Sequence, residues 1–468
     1  MSNPETAITI EIAQFVSTLE FENFPQEAVR IAKRCILDGL GVILAGSNQD
    51  CTQAVLKTCQ DMGNAGHSTA FGISPVKFPP AIAALVNGTA GHAMDWDDTQ
   101  LSTSPDRIFG LLTHPTIPPL SASLALAESL PDVSGKDFLT AFLTGFEVEC
   151  KIAEAIHPTH YKQGFHSSGT IGVFGSAMAA AKLLGLNTPQ IRHTLGMAAS
   201  MGSGIRVNFG TMTKPLHVGM ASQNGVMAAF LARDGYEANL NALDGPWGFF
   251  QVQGGGFDLD RISGCLGNPY TIVDPGVSVK PYPCGSLTHP SMDAMLGLVV
   301  ENDIQPDDLQ EVVLYAGTNI LNPIRYVTAN DELEAKFCMP FLLAAIAISR
   351  KAGSKEFTKD FVLAPHVQSL MKRIRTQFDP EIEAKGWDKM RSRVEITLKD
   401  GSVLAREASG YRGGPDLPLS DEELQAKFHD CADDLLSPSI RQEIFATIAS
   451  LDSLNDVRKL TKLAQTLP

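Results

Sequence analysis

Apolar side chains recur every three or four positions through the first half of the chain, which is the spacing of an amphipathic helix. The segment after Pro25 is an example, because Ala28, Ala32, Ile36 and Leu40 share one stripe. Similar segments cover residues 78–92, 119–130, 136–156, 168–184, 188–201 and 217–234. They are rich in Ala, Gly and Met, and such small side chains let helices approach closely. The pattern therefore predicts a tightly packed helical domain.

The pattern changes near residue 270, where a stretch rich in Pro and Gly interrupts the helical spacing. Residues 309–317 have the composition of a strand, and residues 393–408 alternate as in a hairpin that turns at Asp400-Gly401. Ser420 and Glu423 form a predicted capping box before the last helices. The predicted fold class is mainly α with α+β. A large all-helical domain, residues 1–268 and 411–468, is interrupted by a smaller α+β domain, residues 269–410.

Composition narrows the class of protein. The 468 residues include 37 Lys and Arg against 52 Asp and Glu, so the formal net charge is -15. That sign repels nucleic-acid phosphates and anionic membrane surfaces, and no apolar run is long enough to span a bilayer. The eight cysteines form no CxxC pair, and the N-terminal segment does not resemble a signal or transit peptide. We expect a cytoplasmic protein with neither nucleic acid nor membrane as a partner.

Three carboxylates lie within four residues, at Asp95, Asp97 and Asp98. They repel one another, so burying them requires partners or a metal ion. One interpretation is a metal site, and the other is a solvated loop that caps the next segment. The chemistry of these residues, taken alone, favours the solvated loop.

Two histidines stand at predicted helix starts. His114 precedes Pro115 just before one helix, and His166 is followed by Ser167 and Ser168 before another. Backbone N–H groups at a helix start attract a carboxylate, so both positions are candidates for anion binding. Each histidine is equally consistent with a hydrogen bond that only stabilises the fold.

The most informative segment is residues 202–225, in which Arg206, Lys214 and His217 lie in a nearly neutral stretch rich in Gly and Thr. An arginine binds a carboxylate through two hydrogen bonds, and Lys214 would hold a second carboxylate. The alternative is that both are surface cations in a loop between helices. No nucleotide-binding motif is found elsewhere in the chain.

Five segments together resemble the MmgE/PrpD family, in the order of that family. They are EAVRIAKRCILDGLGVILAG, NGTAGHAMDWDDT, GFHSSGTIGVFGSAMAAAKLLGL, NFGTMTKPLHVG and EAKFCMPF. The resemblance implies a large helical domain interrupted by a smaller α+β lid, usually in a homodimer. It implies an enzyme of small polycarboxylates that needs no metal and no organic cofactor, which moves the interpretation of the aspartates towards hydrogen bonding.

The resemblance also marks individual residues. In the helical domain it marks Asp95, Thr99, His114, His166 and Lys214, and in the α+β domain Lys280 and Tyr326. It thus implies a site in the cleft between the two domains. Arg206 and Ser167 are further substrate-binding candidates from their own chemistry, as a guanidinium and a hydroxyl near helix starts. The stretch between Thr99 and His114, which contains Asp106 and Arg107, is longer than is usual in the family and leaves the substrate open.

The family reactions share a step at a carbon next to a carboxylate, where negative charge develops and nearby cations stabilise it. We expect Lys214, Arg206 and His166 to bind carboxylates, and His114, oriented by Asp95, to act as general acid or base. Tyr326 or His166 would be the opposing proton donor. We expect a lyase, with dehydration ahead of decarboxylation. The alternatives are an epimerase of a dicarboxylate such as iminodisuccinate, a non-catalytic polycarboxylate binder and a metal-dependent hydrolase.

Overall fold

The computed structural model describes residues 8–72, 75–100, 113–387, 389–410 and 412–465. Within them the chain forms two compact units. The helical unit comprises residues 8–100, 113–277 and 424–465, and the α+β unit comprises residues 278–423. Residues 101–112 are not among the described residues, so most of the predicted long loop before His114, with Asp106 and Arg107, lies outside them.

The helical unit confirms the helical part of the predicted fold class. Among its described residues the helices before the junction are α1 (Ile8–Thr18), α2 (Gln26–Gly46), α3 (Asp50–Met62), α4 (Pro80–Ala93), α5 (Ile117–Ser129), α6 (Gly135–Ile156), α7 (Thr159–Lys162), α8 (Ser167–Thr170), α9 (Gly172–Leu183), α10 (Thr188–Met201), α11 (Thr213–Arg233) and α12 (Phe249–Val252). The unit also contains an antiparallel pair, β1 (Ser68–Ala70) and β2 (Val76–Phe78), and a short strand, β3 (Thr99–Gln100).

Local sequence explains where several helices begin. Ser134 accepts from the backbone N–H of Asp137 at the start of α6, and Asn187 accepts from that of Gln190 at the start of α10. Each side chain satisfies one of the N–H groups that have no partner within the helix. Helix α4 begins with Pro80, whose fixed φ suits the first turn of a helix.

Two glycines allow α4 and α11 to approach closely. A Cβ on Gly219 of α11 would lie 2.1 Å from Thr89 Oγ1, and a Cβ on Gly88 of α4 would lie 2.4 Å from Ser222 Oγ. Larger side chains would therefore push the two helices apart. This contact matters for function because the candidate site is built on the C-terminal end of α4 and the N-terminal end of α11.

The α+β unit is a four-stranded sheet with helices. After β4 (Val277–Ser278) at the junction, its elements are α13 (His289–Glu301), β5 (Leu309–Ala316), α14 (Thr318–Leu321), α15 (Glu332–Ala335), α16 (Met339–Ser349), α17 (Lys359–Val362), α18 (Pro365–Met371), β6 (Ile374–Phe378), α19 (Pro380–Ala384), β7 (Ser392–Leu398) and β8 (Val403–Ala408). The order is β6-β5-β7-β8, with β5 and β6 parallel and the other pairs antiparallel. The predicted strand and hairpin are confirmed, and Gly401 has φ 86° at the turn.

One side of strand β7 contributes to the core of the α+β unit. Ser392, Val394 and Ile396 are buried, whereas the residues between them are partly exposed, which is the alternation of a sheet with one covered face. Helix α13 packs against β7 and β8, and α16 packs against α13 and β6. Val394 and Ile396 belong to the hydrophobic core of this unit.

The chain returns to the helical unit through α20 (Asp421–Ala432), α21 (Pro438–Ala449) and α22 (Arg458–Leu463). The predicted capping box is confirmed, since Ser420 N donates to Glu423 and Glu423 N donates to Ser420 Oγ. Lys427 is buried and its Nζ lies 2.6 Å from Asp38 Oδ1 on α2. This ion pair attaches the C-terminal segment to the helical unit.

No helix within the described ranges is long and apolar enough to cross a membrane. All eight cysteines are free thiols, of which seven are buried and Cys265 is partly exposed.

Candidate active site

The aspartate segment follows α4 and is buried. Asp95, Asp97 and Asp98 are each at most 4% exposed, so the solvated-loop interpretation was wrong. Asp95 has φ 53°, a left-handed conformation that aspartate tolerates better than most side chains. It reverses the chain after the helix, and Lys427 Nζ donates to Trp96 O at 2.8 Å in the same segment. The three carboxylates are therefore held inside the unit, where each requires partners.

Each aspartate has a different partner. Asp95 Oδ1 lies 2.9 Å from Lys214 Nζ, and Asp97 Oδ2 lies 2.8 Å from His92 Nδ1. Asp98 accepts from the backbone N–H and the hydroxyl of Thr116. Burial raises the pKa of Asp98 to about 7, although the Thr116 hydrogen bonds oppose this shift. Asp95 thus pairs with an ammonium, Asp97 pairs with an imidazole, and Asp98 is partly protonated near neutral pH.

His114 is held in one tautomer by its surroundings. Its Nδ1 lies 2.8 Å from the carbonyl oxygen of Asp98 and 3.3 Å from Asp97 Oδ2. Since a carbonyl oxygen only accepts, Nδ1 carries the hydrogen and the neutral ring has its lone pair on Nε2. These contacts orient the ring through Asp97 and Asp98, and the expected orienting role of Asp95 stays a prediction. His114 can therefore accept a proton at Nε2 while Asp97 stabilises the cation.

His166 and His217 form a second pair of imidazoles. Their Nδ1 atoms are 3.0 Å apart, so one ring donates and the other accepts. Burial lowers the pKa of both rings, and the nearby His92 and Lys214 lower it further, to about 4 for His217. This pair is uncharged near neutral pH. His166 remains able to transfer a proton through a hydrogen bond, but it supplies no permanent positive charge.

Lys214 lies in the first turn of α11 and His217 directly after that turn, because the helix begins at Thr213 rather than near residue 217 as predicted. Pro215 does not prevent this, because N–H groups in the first turn have no partner within the helix. Lys214 is 6% exposed, and its Nζ lies 5.2 Å from the centre of the Phe209 ring. The interpretation of Lys214 as a surface cation in a loop was therefore wrong.

Arg206 and Ser167 have contacts other than the predicted ones. The Arg206 guanidinium lies 3.7 Å from the centre of the Tyr161 ring, and its Nη1 donates to Tyr161 O. Ser167 Oγ lies 2.9 Å from His157 Nε2. Substrate binding by either residue stays a prediction.

Thr99 lies at the end of the aspartate segment, in β3. It is 2% exposed, and its Oγ1 has no hydrogen-bond partner among the described residues. This hydroxyl therefore keeps a hydrogen bond to offer, and substrate binding by Thr99 stays a prediction.

Lys280 and Tyr326 belong to the α+β unit. Lys280 is 1% exposed, and Tyr326 is partly buried with its backbone N–H donating to Phe337 O. The Arg325 guanidinium lies 5.4 Å from the centre of the Tyr326 ring. Participation of these two residues in one site with the residues of the helical unit stays a prediction.

A metal ion fits this arrangement poorly. Among the described residues, His92, Asp95 and His114 bring one potential ligand atom each within 4.8 Å of the others. However, the Lys214 ammonium already pairs with Asp95 at 2.9 Å, and a second cation beside it would be repelled. The charge pattern is better suited to an anionic ligand that binds next to Lys214.

Family models match nearly the whole chain. The MmgE/PrpD N-terminal domain matches residues 10–262, and the MmgE/PrpD C-terminal domain matches residues 282–453. The chain belongs to the MmgE/PrpD family. The resemblance recognised in the five sequence segments is thereby confirmed, and so is the fold class that it implied.

Curated relatives within this family are lyases. The chain is 29% identical to cis-aconitate decarboxylase of Mus musculus, over 98% of this chain and 93% of the relative. It is 24% identical to cis-aconitate decarboxylase of Aspergillus terreus, over 99% of this chain and 96% of the relative. A mitochondrial 2-methylcitrate dehydratase of Yarrowia lipolytica is 22% identical, over 84% of this chain and 77% of the relative.

The structure brings together most of the family residues predicted in the helical unit, and it adds one that was missed. His92, at the end of α4, contacts Asp97, and its ring lies 4.6 Å from that of His114 and 5.5 Å from that of His166. In the sequence, His92 looks like an ordinary helical residue. The available signal was a histidine followed within six residues by three aspartates.

Proposed function

We propose that this chain is a cofactor-free lyase that acts next to a carboxylate of a small citrate-like polycarboxylate. Decarboxylation of cis-aconitate is the first candidate, and dehydration of 2-methylcitrate is the second. This order reverses our expectation from the sequence, because the decarboxylase relatives are more similar and cover more of the chain than the dehydratase. None of these relatives is named an epimerase, so the isomerase alternative has no support from them.

The observation that carries the proposal is the buried Lys214–Asp95 ion pair next to several imidazoles. The chain has a net charge of -15, so an anionic substrate is attracted only where cations are concentrated. The Lys214 ammonium is such a cation, and its 2.9 Å contact with Asp95 fixes its position. A substrate carboxylate beside Lys214 would gain a charge-assisted hydrogen bond in a site with little water.

The proton-transfer step is assigned to His114. In decarboxylation the C–C bond to the leaving carboxylate breaks, CO2 departs, and the electron pair stays on the substrate, conjugated with a remaining carboxylate. Protonated His114 then gives the proton from Nε2 to carbon. In dehydration, neutral His114 would take the proton next to the carboxylate, and Tyr326, or His166 in its protonated form, would protonate the leaving hydroxyl. Lys214 would stabilise the charge that develops on the carboxylate in both reactions.

Proton NMR of EDTA-treated protein in D2O with cis-aconitate, citrate, 2-methylcitrate and a dicarboxylate amino acid tests this proposal. Formation of itaconate supports the decarboxylase, and interconversion of a hydroxy acid and an alkene supports the dehydratase. Deuterium exchange without elimination would instead support an isomerase. Tricarboxylate binding without any chemical change would favour the non-catalytic binder. Activity that is lost after EDTA and returns with a divalent metal would contradict the cofactor-free mechanism.

We also propose a homodimer and a cytoplasmic location. More than half of the large apolar side chains that are exposed among the described residues lie in the segment 205–257, where Trp247 is 89% exposed. Such concentration is typical of an interaction surface.

Eight free thiols agree with a reducing compartment.

Light scattering tests the dimer, which should have about twice the 50.2 kDa mass of the chain. Trp247→Asp should reduce this mass to that of a monomer, whereas Trp387→Asp, in the α+β unit, should not. A wild-type chain that is monomeric at micromolar concentration would exclude the dimer.

A further inference from the structure

Asp97 lies between two imidazoles. Its Oδ2 is 2.8 Å from His92 Nδ1 and 3.3 Å from His114 Nδ1. All three side chains belong to the helical unit, and those of His92 and Asp97 are at most 1% exposed. One carboxylate oxygen therefore contacts both rings, and a change at His92 can reach His114 through Asp97.

The contact between His92 and Asp97 is specific. His92 Nδ1 lies 2.8 Å and 3.0 Å from the two carboxylate oxygens, so Nδ1 carries the hydrogen and donates it to the carboxylate. Burial lowers the pKa of His92, although Asp97 opposes this shift. His92 is thus a neutral donor near pH 7. The His92 ring also packs edge-on against the His114 ring.

We propose that His92 and Asp97 are positioning residues for His114. By donating to Asp97, His92 fixes the carboxylate where it supports the Nδ1–H of His114. Asp97 then favours the tautomer with a lone pair on Nε2 and stabilises the imidazolium that forms when Nε2 takes a proton. The inference rests on the proposed function, because it assigns the residues that prepare its proton-transfer group.

The expected effect is large because tautomer and orientation determine whether a histidine can exchange protons at the substrate. In serine proteases, loss of the orienting carboxylate lowers kcat by about 10⁴. Asp97 is not the only group that orients His114, since the Asp98 carbonyl oxygen also accepts from Nδ1. We therefore expect a smaller decrease in kcat, of roughly 10²-fold, on loss of the His92–Asp97 pair.

The test compares His92→Asn with His92→Leu. The asparagine amide places an N–H close to the position of Nδ1 and can still donate to Asp97, whereas leucine cannot. We expect His92→Leu to lower kcat about 100-fold with KM changed less than about threefold, and His92→Asn to recover at least about tenfold of that loss. Equal, wild-type kcat in both variants would overturn the proposal. An asparagine variant as inactive as the leucine variant would also overturn it, because the imidazole would then be needed beyond its donor role.

A second measurement does not depend on the substrate. In protein labelled with ¹⁵N-histidine, the His114 ring signals, assigned by their loss in His114→Asn, report its tautomer. We expect the Nδ1–H tautomer in the wild type and a mixture in Asp97→Asn. An unchanged tautomer in Asp97→Asn would overturn the proposal even if the wild type processes none of the tested acids. Absence of turnover by a wild type whose His114 tautomer does respond would contradict only the proposed function. If His92→Leu does not fold, Asp97→Asn alone decides.

Discussion

Lys214 Nζ lies 2.9 Å from Asp95 Oδ1, and neither side chain is more than 8% exposed. The pair joins the first turn of α11 to the residue that reverses the chain after α4. A buried lysine and a buried aspartate each require the other, because an isolated buried charge costs several kcal/mol. Substrate binding would add a second anion beside the same ammonium.

We expect Lys214→Met to lower kcat/KM at least about 100-fold, since it removes the cation and leaves the Asp95 carboxylate without that partner. Steady-state kinetics with the substrate identified by NMR measure the effect. Lys151→Met is the matched control, because Lys151 is also buried and lies 3.6 Å from Glu147 on α6. Comparable loss of activity in both folded variants would show that the effect is not specific to the candidate site.

We expect His114→Asn to lower kcat by roughly 10²–10⁴-fold while the protein still folds. The asparagine amide can replace the Nδ1–H that donates to the Asp98 carbonyl, but nothing replaces Nε2. Single-turnover kinetics and thermal unfolding measure the two effects separately. His193→Asn, on α10, is the control, because its Nδ1 contacts only backbone atoms of Ala238 among the contacts described. Wild-type turnover by His114→Asn would remove His114 from the mechanism.

The buried His160 predicts a loss of stability in acid. Burial lowers its pKa from 6.5 to about 4, so the folded state favours the neutral ring. The stability that this preference contributes is complete above pH 6.5 and is lost as the pH falls towards 4. Urea denaturation measures how far the free energy of unfolding decreases between pH 7.5 and pH 4.5. This decrease should be about 2 kcal/mol smaller for His160→Asn than for the wild type. His67→Asn, at an exposed position, should leave the decrease unchanged, and an equal decrease in all three proteins would contradict the assignment to His160.

The close contact of α4 and α11 predicts that Gly219→Ala is destabilising. The added Cβ would overlap Thr89 Oγ1, and relief of that overlap requires the helices to separate. We expect a loss of about 1–3 kcal/mol of unfolding free energy, measured by urea denaturation, and a decrease in kcat because Lys214 and Asp95 move apart. Gly410→Ala is the control, since no atom lies within 4 Å of a Cβ at that position. A Gly219→Ala protein that keeps wild-type stability would show that the packing adjusts without cost.

The fold was largely predictable because its elements are marked by local patterns. The spacing of apolar residues gave α6 and α10 almost to the residue, and the Ser420–Glu423 capping box was confirmed. The start of α11 was predicted too late, since apolar spacing marked only residues 217–234, whereas the helix begins at Thr213 with Pro215 in its first turn. Helix starts of this kind depend on which N–H groups remain unpaired, which composition does not reveal.

The candidate site was predicted less completely than the fold. Family segments identified Asp95, His114, His166 and Lys214, and the structure places them in one unit with short contacts among them and their neighbours. His92 was missed because its contact with Asp97 depends on the chain reversal at Asp95, which has a positive φ. Burial of the aspartates was also missed, since two of their partners lie further along the chain, Lys214 for Asp95 and Thr116 for Asp98.

The distribution of thiols has a practical consequence for spectroscopy. Seven of the eight cysteines are buried, and Cys265 alone is partly exposed. A maleimide dye or a nitroxide spin label should therefore attach to the native chain at a single position, without any cysteine being removed. Two labelled copies in one assembly would then report their separation directly by resonance energy transfer or pulsed dipolar spectroscopy.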